Sequence, residues 1–153
     1  MRPRERHRAG ADAGGAAVEG AVIMSTLLLA VVGTVEVARA LWTYNTMLLA
    51  VQQAGRYAMT YRHHPPAICA AQSQASDCPA LSDTPDANCS ASYARAVLSA
   101  YRAPPIEVSV AIDTAATPPA ATVCASYSLD FLVPQLLPYG PLALTTRVTV
   151  PLI

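Results

Sequence analysis

The residue in this sequence most in need of a chemical reason is Glu19. It heads an apolar run: the sixteen residues from Gly20 to Val35 carry no charge. As a helix they would rise roughly 24 Å at about 1.5 Å per residue. That is short of the hydrocarbon core of a bilayer, which is about 30 Å thick. Counting the helix back to Ala16 supplies the missing length and takes Glu19 into the apolar zone. A carboxylate there costs on the order of 2.5–3.5 kcal/mol on insertion scales, and an ionisable group kept at that cost marks a working residue. At the far end of the run, Glu36 and Arg39 stand one turn apart. They form a candidate ion pair at the membrane interface, which offsets part of the cost of each.

Cys69, Cys78, Cys89 and Cys124 all lie beyond the apolar run. An even number of cysteines confined to one side of a membrane segment points to disulfides and an oxidising compartment. The gaps of 8, 10 and 34 residues between them lack the close pairs of a zinc site. Four cysteines permit three connectivities, and sequence does not choose among them. Cys69–Cys78 with Cys89–Cys124 is favoured because the first bridge closes a short local loop. Each bridge contributes about 2–4 kcal/mol.

Other reactive side chains do not assemble into a catalytic pattern. His63 and His64 are adjacent, so on a regular element they point different ways, and a solvated helix end accounts for them. Asp83, Asp86 and Asn88 offer oxygen ligands at a spacing that is not that of a calcium loop; turn and cap formation explains them. No G-x-S-x-G nucleophile motif occurs. Tyr93, Tyr101 and Tyr127 read as core or sheet residues. We therefore expect no catalytic residue, no metal and no cofactor.

These residues must be positioned by few elements. A chain of 153 residues has room for one membrane helix and one small domain. Four of the ten arginines fall in the first eight residues, and lysine is absent. A basic head before an apolar helix sets orientation, head inside and remainder outside. No basic stripe with stacking aromatics follows, so nucleic acid is not an expected partner. Small residues dominate Ala9 to Ala17, leaving that stretch open to a protease. The helix starts near Gly15 or Ala16 and does not stop with the apolar run. Leu41, Tyr44, Leu48, Val51, Gly55 and Ala58 continue a three-four spacing, with Thr43, Gln52, Arg56 and Thr60 on other faces. His63-His64-Pro65-Pro66 ends the helix near Tyr61.

Residues 65–90, rich in Pro, Ser, Asp, Ala and Cys, read as a stapled loop. A short helix is predicted from about Ser90 to Tyr101, stopped by Ala103-Pro104-Pro105. Strands are predicted over Ile106–Asp113, Ala121–Leu129 and Leu142–Val150, where apolar and polar residues alternate. A Pro-punctuated apolar loop, Phe131 to Pro141, joins the last two. The expected fold class is α+β. One long N-terminal helix has its first half in the membrane and its second half packed on an antiparallel sheet of about three strands, which needs such a cover to be stable.

Gly14-Gly15-Ala16-Ala17-Val18-Glu19 resembles a prepilin processing site, with Gly before the cut and Glu five residues after it. The Arg-rich head, Ala-Ala-Val-Glu, the apolar run, Glu36-Val37-Ala38-Arg39-Ala40-Leu41-Trp42 and Tyr44-Asn45 together resemble the TadE-like family, pseudopilins of the tight adherence (Tad, Flp pilus) system. Gly20 stands where that family usually has an aromatic. The resemblance implies a type IV pilin-like subunit. Residues 1–14 would be a leader removed by a prepilin peptidase between Gly14 and Gly15. Residues 15–41 would be a transmembrane and assembly helix, and residues 42–153 an exported α+β domain that includes the helix to about residue 61. It implies a single-pass protein of the cell membrane, N-terminus cytoplasmic, whose partners are the membrane, the peptidase and other pseudopilins. Glu19 would pair with the new amine of Gly15 in its own or a neighbouring chain.

Two other readings fit parts of the pattern. Ala38-Arg39-Ala40 has the form of a signal-peptide cut, giving a secreted domain that begins at Leu41. An uncut, single-span anchored domain with disulfides and an unknown binding role is the other, with Glu19 snorkelling at the interface.

Overall fold

The structure is a computed structural model that describes residues 9–61, 69, 71–75, 77–134 and 140–152. The arginines at positions 2, 4, 6 and 8, His63 and His64, and residues 135–139 of the apolar loop lie outside the described residues. The elements are α1 (Ala9–Tyr61), α2 (Pro85–Ala100), β1 (Glu107–Asp113), β2 (Ala120–Leu129) and β3 (Leu142–Pro151). The chain divides after Ala38 into two units.

Helix α1 ends where the sequence indicated and begins earlier, at Ala9 rather than Gly15 or Ala16. Helix α2 also begins early, five residues before Ser90. Thr84 has extended backbone (φ −115°, ψ 151°) and its hydroxyl accepts a hydrogen bond from the Ala87 amide at 3.3 Å, with Pro85 in the first turn. A threonine cap followed by proline is a helix start, not a loop. Asp83 and Asn88, weighed above as ion ligands, bond each other across that start at 3.2 Å. At the other end, Arg102 has φ 51°, and the amides of Arg102 and Ala103 reach back to Ser99 O and Leu98 O, both at 3.0 Å. This is a Schellman ending with arginine at the position that usually holds glycine. It stops α2 before Pro104 is reached.

The strands form one antiparallel meander in the order β1-β2-β3. Glu107 pairs with Ser126 and Asp113 with Ala120; Ala120 also pairs with Pro151, and Leu129 with Leu142. Strand bounds fall within one residue of the sequence reading. One face of the sheet carries Val108, Val110, Val123 and Ala125, which form a core with Met47, Ala50, Val51 and Ala54 of α1 and Ala87, Ala91, Ala94 and Leu98 of α2.

The buried stripe of α1 differs from the expected one at its beginning. Thr43, Thr46, Met47, Ala50, Val51, Ala54, Gly55 and Ala58 are buried, while Leu41 and Tyr44 are exposed. Periodicity weighed residue type, whereas the sheet selects for size: a Cβ at Gly55 would lie 3.1 Å from a Val150 methyl. Small residues let helix and sheet approach closely, and Thr46 can be buried because its hydroxyl donates to the Trp42 carbonyl at 2.8 Å.

The disulfides are Cys69–Cys89 and Cys78–Cys124. The favoured pairing, Cys69–Cys78 with Cys89–Cys124, is therefore corrected. Side chains alternate along β2, so Cys124 faces away from Val123 and Ala125 and from the helices that cover them. Cys89 belongs to α2, on the covered face, and the sheet itself separates the two sulfurs. What joins both faces is the segment before α2. It is bonded to α2 at Cys69 and to the opposite face of the sheet at Cys78, and it crosses the free edge of β1 on the way. The Gln72 side chain accepts from Val110 N at 2.7 Å and donates to Val110 O at 2.9 Å, standing in for a neighbouring strand. Ser82 repeats this further along: its amide donates to Val110 O at 3.0 Å, and its hydroxyl accepts from Ile112 N at 2.7 Å. Gln74 holds the turn at Cys78 by donating to Cys78 O and accepting from Leu81 N. The edge strand is thereby closed to further pairing.

Two substitutions test this arrangement. Gln72→Ala strips the Val110 amide of its acceptor and leaves the Val110 carbonyl with the Ser82 amide; it should cost about 1–3 kcal/mol in denaturant unfolding with disulfides intact, with faster exchange of the Val110 amide. Arg102→Gly relieves a left-handed backbone and should stabilise the domain by about 1 kcal/mol in the same measurement.

Candidate functional site

Among the described residues, the unit that ends at Ala38 contributes none to a hydrophobic core. Every described side chain from Gly14 to Val31 is exposed. The large apolar ones stand 52–66 % exposed from Val18 to Val31, and Val37 reaches 60 %. Leu27, Leu28 and Leu29 follow one another round the helix and all three are exposed, so the apolar surface encircles α1. A helix apolar on every side is built for lipid or for a bundle of like helices. Among the described residues, it is the one helix long and apolar enough to cross a membrane.

Its few polar side chains are adapted to that setting. Ser25 and Thr26 donate to the Val22 carbonyl, each at 2.9 Å, and Thr34 donates to the Ala30 carbonyl at 2.8 Å. Each hydroxyl is satisfied by its own helix and needs no water. A Cβ added at Gly14, Gly15, Gly20 or Gly33 would meet nothing within 4 Å. Those glycines leave gaps in the helix flank where another helix can approach.

Gly14, Gly15 and Glu19 lie on this unit, all exposed and all within α1. Gly15 and Glu19 are four residues apart and so share one face. Two successive glycines weaken a helix by about 1 kcal/mol each relative to alanine; the Gly14–Gly15 bond is the locally weakest part of this segment. Glu36 is only 8 % exposed, and neither it nor Arg39 lacks a partner. All four cysteines are in disulfides, and none of the described cysteines is free. Tyr93 stacks on Tyr57 of α1, ring centroids 4.9 Å apart. Tyr127 is half-buried against the core, and Tyr101 is exposed.

A recess of about 560 Å³ lies on the sheet side that Cys124 faces. Asp77, Glu107 and Asp130 line it, with the serines at 126 and 128 and no histidine or cysteine. No group of three or more potential metal-ligating side chains occurs among the described residues. The surface that stands out chemically is thus the helix, with an acid near its start and Trp42 and Tyr44 exposed just past its charged pair.

Residues 14–56 match the family model of TadE-like proteins. The TadE-like segment therefore starts at the Gly14–Gly15 bond, takes in the whole exposed apolar helix with Glu19, and ends among the small residues that pack on the sheet. The match covers 43 of the 153 residues, and the rest of the chain lies outside it. Neither the curated proteins nor the solved structures contain a match.

Two features of the site were not singled out in the sequence. Trp42 counted as part of a motif and Tyr44 as core, although two aromatics following a charged pair at the end of an apolar run are a usable interface signal. The strap residues Gln72 and Ser82 left no signal at all, because their role depends on which strand lies at the sheet edge.

Proposed function

We propose that this protein is a minor pilin-like subunit, a pseudopilin, of a tight adherence pilus or secretion assembly, and not a catalyst. It is held with its N-terminus in the cytoplasm and its α+β domain outside the cell membrane. A prepilin peptidase cuts between Gly14 and Gly15. The subunit then assembles with other pseudopilins through α1. The observation that carries this reading is Glu19, placed one helical turn from Gly15 on a helix otherwise apolar and exposed on every side.

Cleavage changes the physics of that helix. It removes the arginines that anchor the head in the cytoplasm and leaves an ammonium group at Gly15. Opposite charges about 4 Å apart attract by on the order of 4 kcal/mol at an effective dielectric near 20. That compares with the burial cost of the carboxylate alone, on the order of 2.5–3.5 kcal/mol. Pairing within one chain neutralises the helix start; pairing between chains also fixes the axial register of neighbours, because each amine must meet an acid. The exposed flanks at Gly15, Gly20 and Gly33 allow neighbouring helices to come close. The uninterrupted course of α1 through Ala38-Arg39-Ala40 disfavours the secreted reading.

Mass spectrometry of the protein isolated from its own cells should give a chain beginning at Gly15 with two disulfides. A chain beginning at Leu41, or still carrying its arginines, overturns the proposal. Glu19→Ala should leave membrane insertion and cleavage intact while reducing recovery in complexes with other pseudopilins at least tenfold, the equivalent of about 1.4 kcal/mol. Normal incorporation of the alanine variant would remove the assigned role of Glu19.

A further inference from the structure

The sheet has two edges, and they differ. Along β1 the strap residues Gln72 and Ser82 bond to the outward backbone groups. The other edge is β3. Every second residue of an edge strand turns its N–H and C=O away from its one neighbour. Among the described residues, no hydrogen bond reaches those groups from Leu142 to Pro151. The devices that usually blunt such an edge are few here. The register with β2 runs from Leu142 to Pro151 without a bulge. No proline occurs before Pro151, and the side chains on the core face, from Leu142 to Val150, carry no charge. The edge is thus a long, regular strand of leucine, alanine, threonine and valine with a single arginine.

The side chains of β3 specify what would fit beside it. On the helix-covered face, Leu144, Val148 and Val150 are half-buried, whereas Val108, Val110 and Val123 of the other strands are fully buried. The apolar layer therefore reaches the β3 edge and stops there partly open. On the opposite face stands Arg147, exposed and the only charged residue of β3. Across β2 it meets Cys124, with Thr122 and Ser126 on the diagonals, all uncharged. Among the described residues no carboxylate pairs with it. A strand laid along β3 would bring one side chain directly opposite Arg147, roughly 5 Å away between Cβ atoms. An acid there gains a cross-strand ion pair, and a base is repelled. The same arginine argues against a second copy of this chain. With β1 covered and β2 interior, a second copy could offer only its own β3, which contains no Asp or Glu. Pairing β3 with β3 sets Arg147 against a neutral residue or against another Arg147, so the charge selects for a different partner.

We propose that the open edge of β3 receives an extended segment of a different protein, which adds a fourth strand to the sheet with apolar side chains beside Leu144 and Val148 and a carboxylate beside Arg147. Main-chain hydrogen bonds along β3 supply the affinity, and the alternating side chains with the acid supply the selection. The contact uses only the domain that begins at Arg39 and does not depend on assembly through α1, so either can fail without the other.

The test is amide hydrogen exchange of the full chain in detergent micelles, read residue by residue. The probe is a synthetic peptide of alternating threonine and valine, with glutamate replacing the central threonine. In the chain alone, every second amide of β3 should exchange rapidly while the amides of β2 are protected. The peptide should slow those β3 amides and leave the β1 amides unchanged. A version with glutamine in place of the glutamate should bind up to about fivefold more weakly, and Arg147→Gln, a change at an exposed position, should abolish that preference. A version whose alternate amides are N-methylated, so that it cannot pair with an edge, should protect nothing. If the glutamate peptide protects no β3 amide, or the N-methylated one protects them equally, strand addition is overturned. If the glutamate and glutamine peptides bind the unaltered chain equally, the role of Arg147 falls and the choice of an acidic partner with it. Protection of the same amides that grows with the concentration of the chain alone assigns the edge to a second copy and also overturns the proposal.

Discussion

An apolar helix surface with nothing of its own to cover it is the constraint on which the rest of this molecule depends. From Val18 to Val31 the side chains of α1 are more than half exposed on all sides. A soluble helix of this composition would be buried in a core, and the described residues of this unit form none. The helix must be covered by lipid or by other helices, and its polar groups are arranged so that either is acceptable. The hydroxyls close on their own backbone. Among the described residues of this stretch, the carboxylate of Glu19 is the group that calls for a partner from outside its own helix, and the proposed cleavage would supply one as an amine at Gly15, one turn away.

The domain built on the second half of α1 solves a different problem. Its helices meet the sheet mainly through alanine, valine and a glycine, with Met47 and Leu98 as the larger side chains, and the whole chain has a single phenylalanine. Close approach gives good packing but removes little apolar area from water. Covalent cross-links compensate, since two bridges constrain the unfolded chain by several kcal/mol in total. They also make a strap possible. A segment with little regular structure can hold an edge strand only if its ends cannot drift, and Cys69 and Cys78 tie it to both faces of the sheet. Gln72 and Ser82 then occupy the polar edge of β1, which would otherwise be open to another chain. A closed edge keeps β1 from pairing with a strand of another chain.

Helix α1 joins these two solutions, and its side chains change character within a few residues. Val37 belongs to the exposed apolar surface; Thr43 belongs to the domain core; between them lie Arg39 and the exposed Leu41 and Trp42. The TadE-like match spans this transition without a break. The sequence pattern that the chain shares with TadE-like proteins is therefore that of the helix in both its environments, and the strap, α2 and the sheet lie outside it.

Much of this was legible from residue order alone. Periodicities of two and of three to four reflect backbone geometry, so the three strands and the end of α1 could be read locally, as could the apolar run with its acid. Local reading failed where the outcome depends on which element lies beside which. The start of α2 was hidden because Thr84, Pro85 and Asp86 suit a turn as well as a cap. The face of α1 depended on the size of the side chains opposite it. The disulfide partners depended on which side of the sheet each sulfur faced, and alternation along β2 decided that only once the helices had taken the other face. The sequence by itself determined that an apolar helix must leave water and that the remainder is a small α+β domain with bridges. Only the tertiary structure decided the pairing and the strap, because each is a contact between segments far apart in the chain whose meeting no local preference encodes.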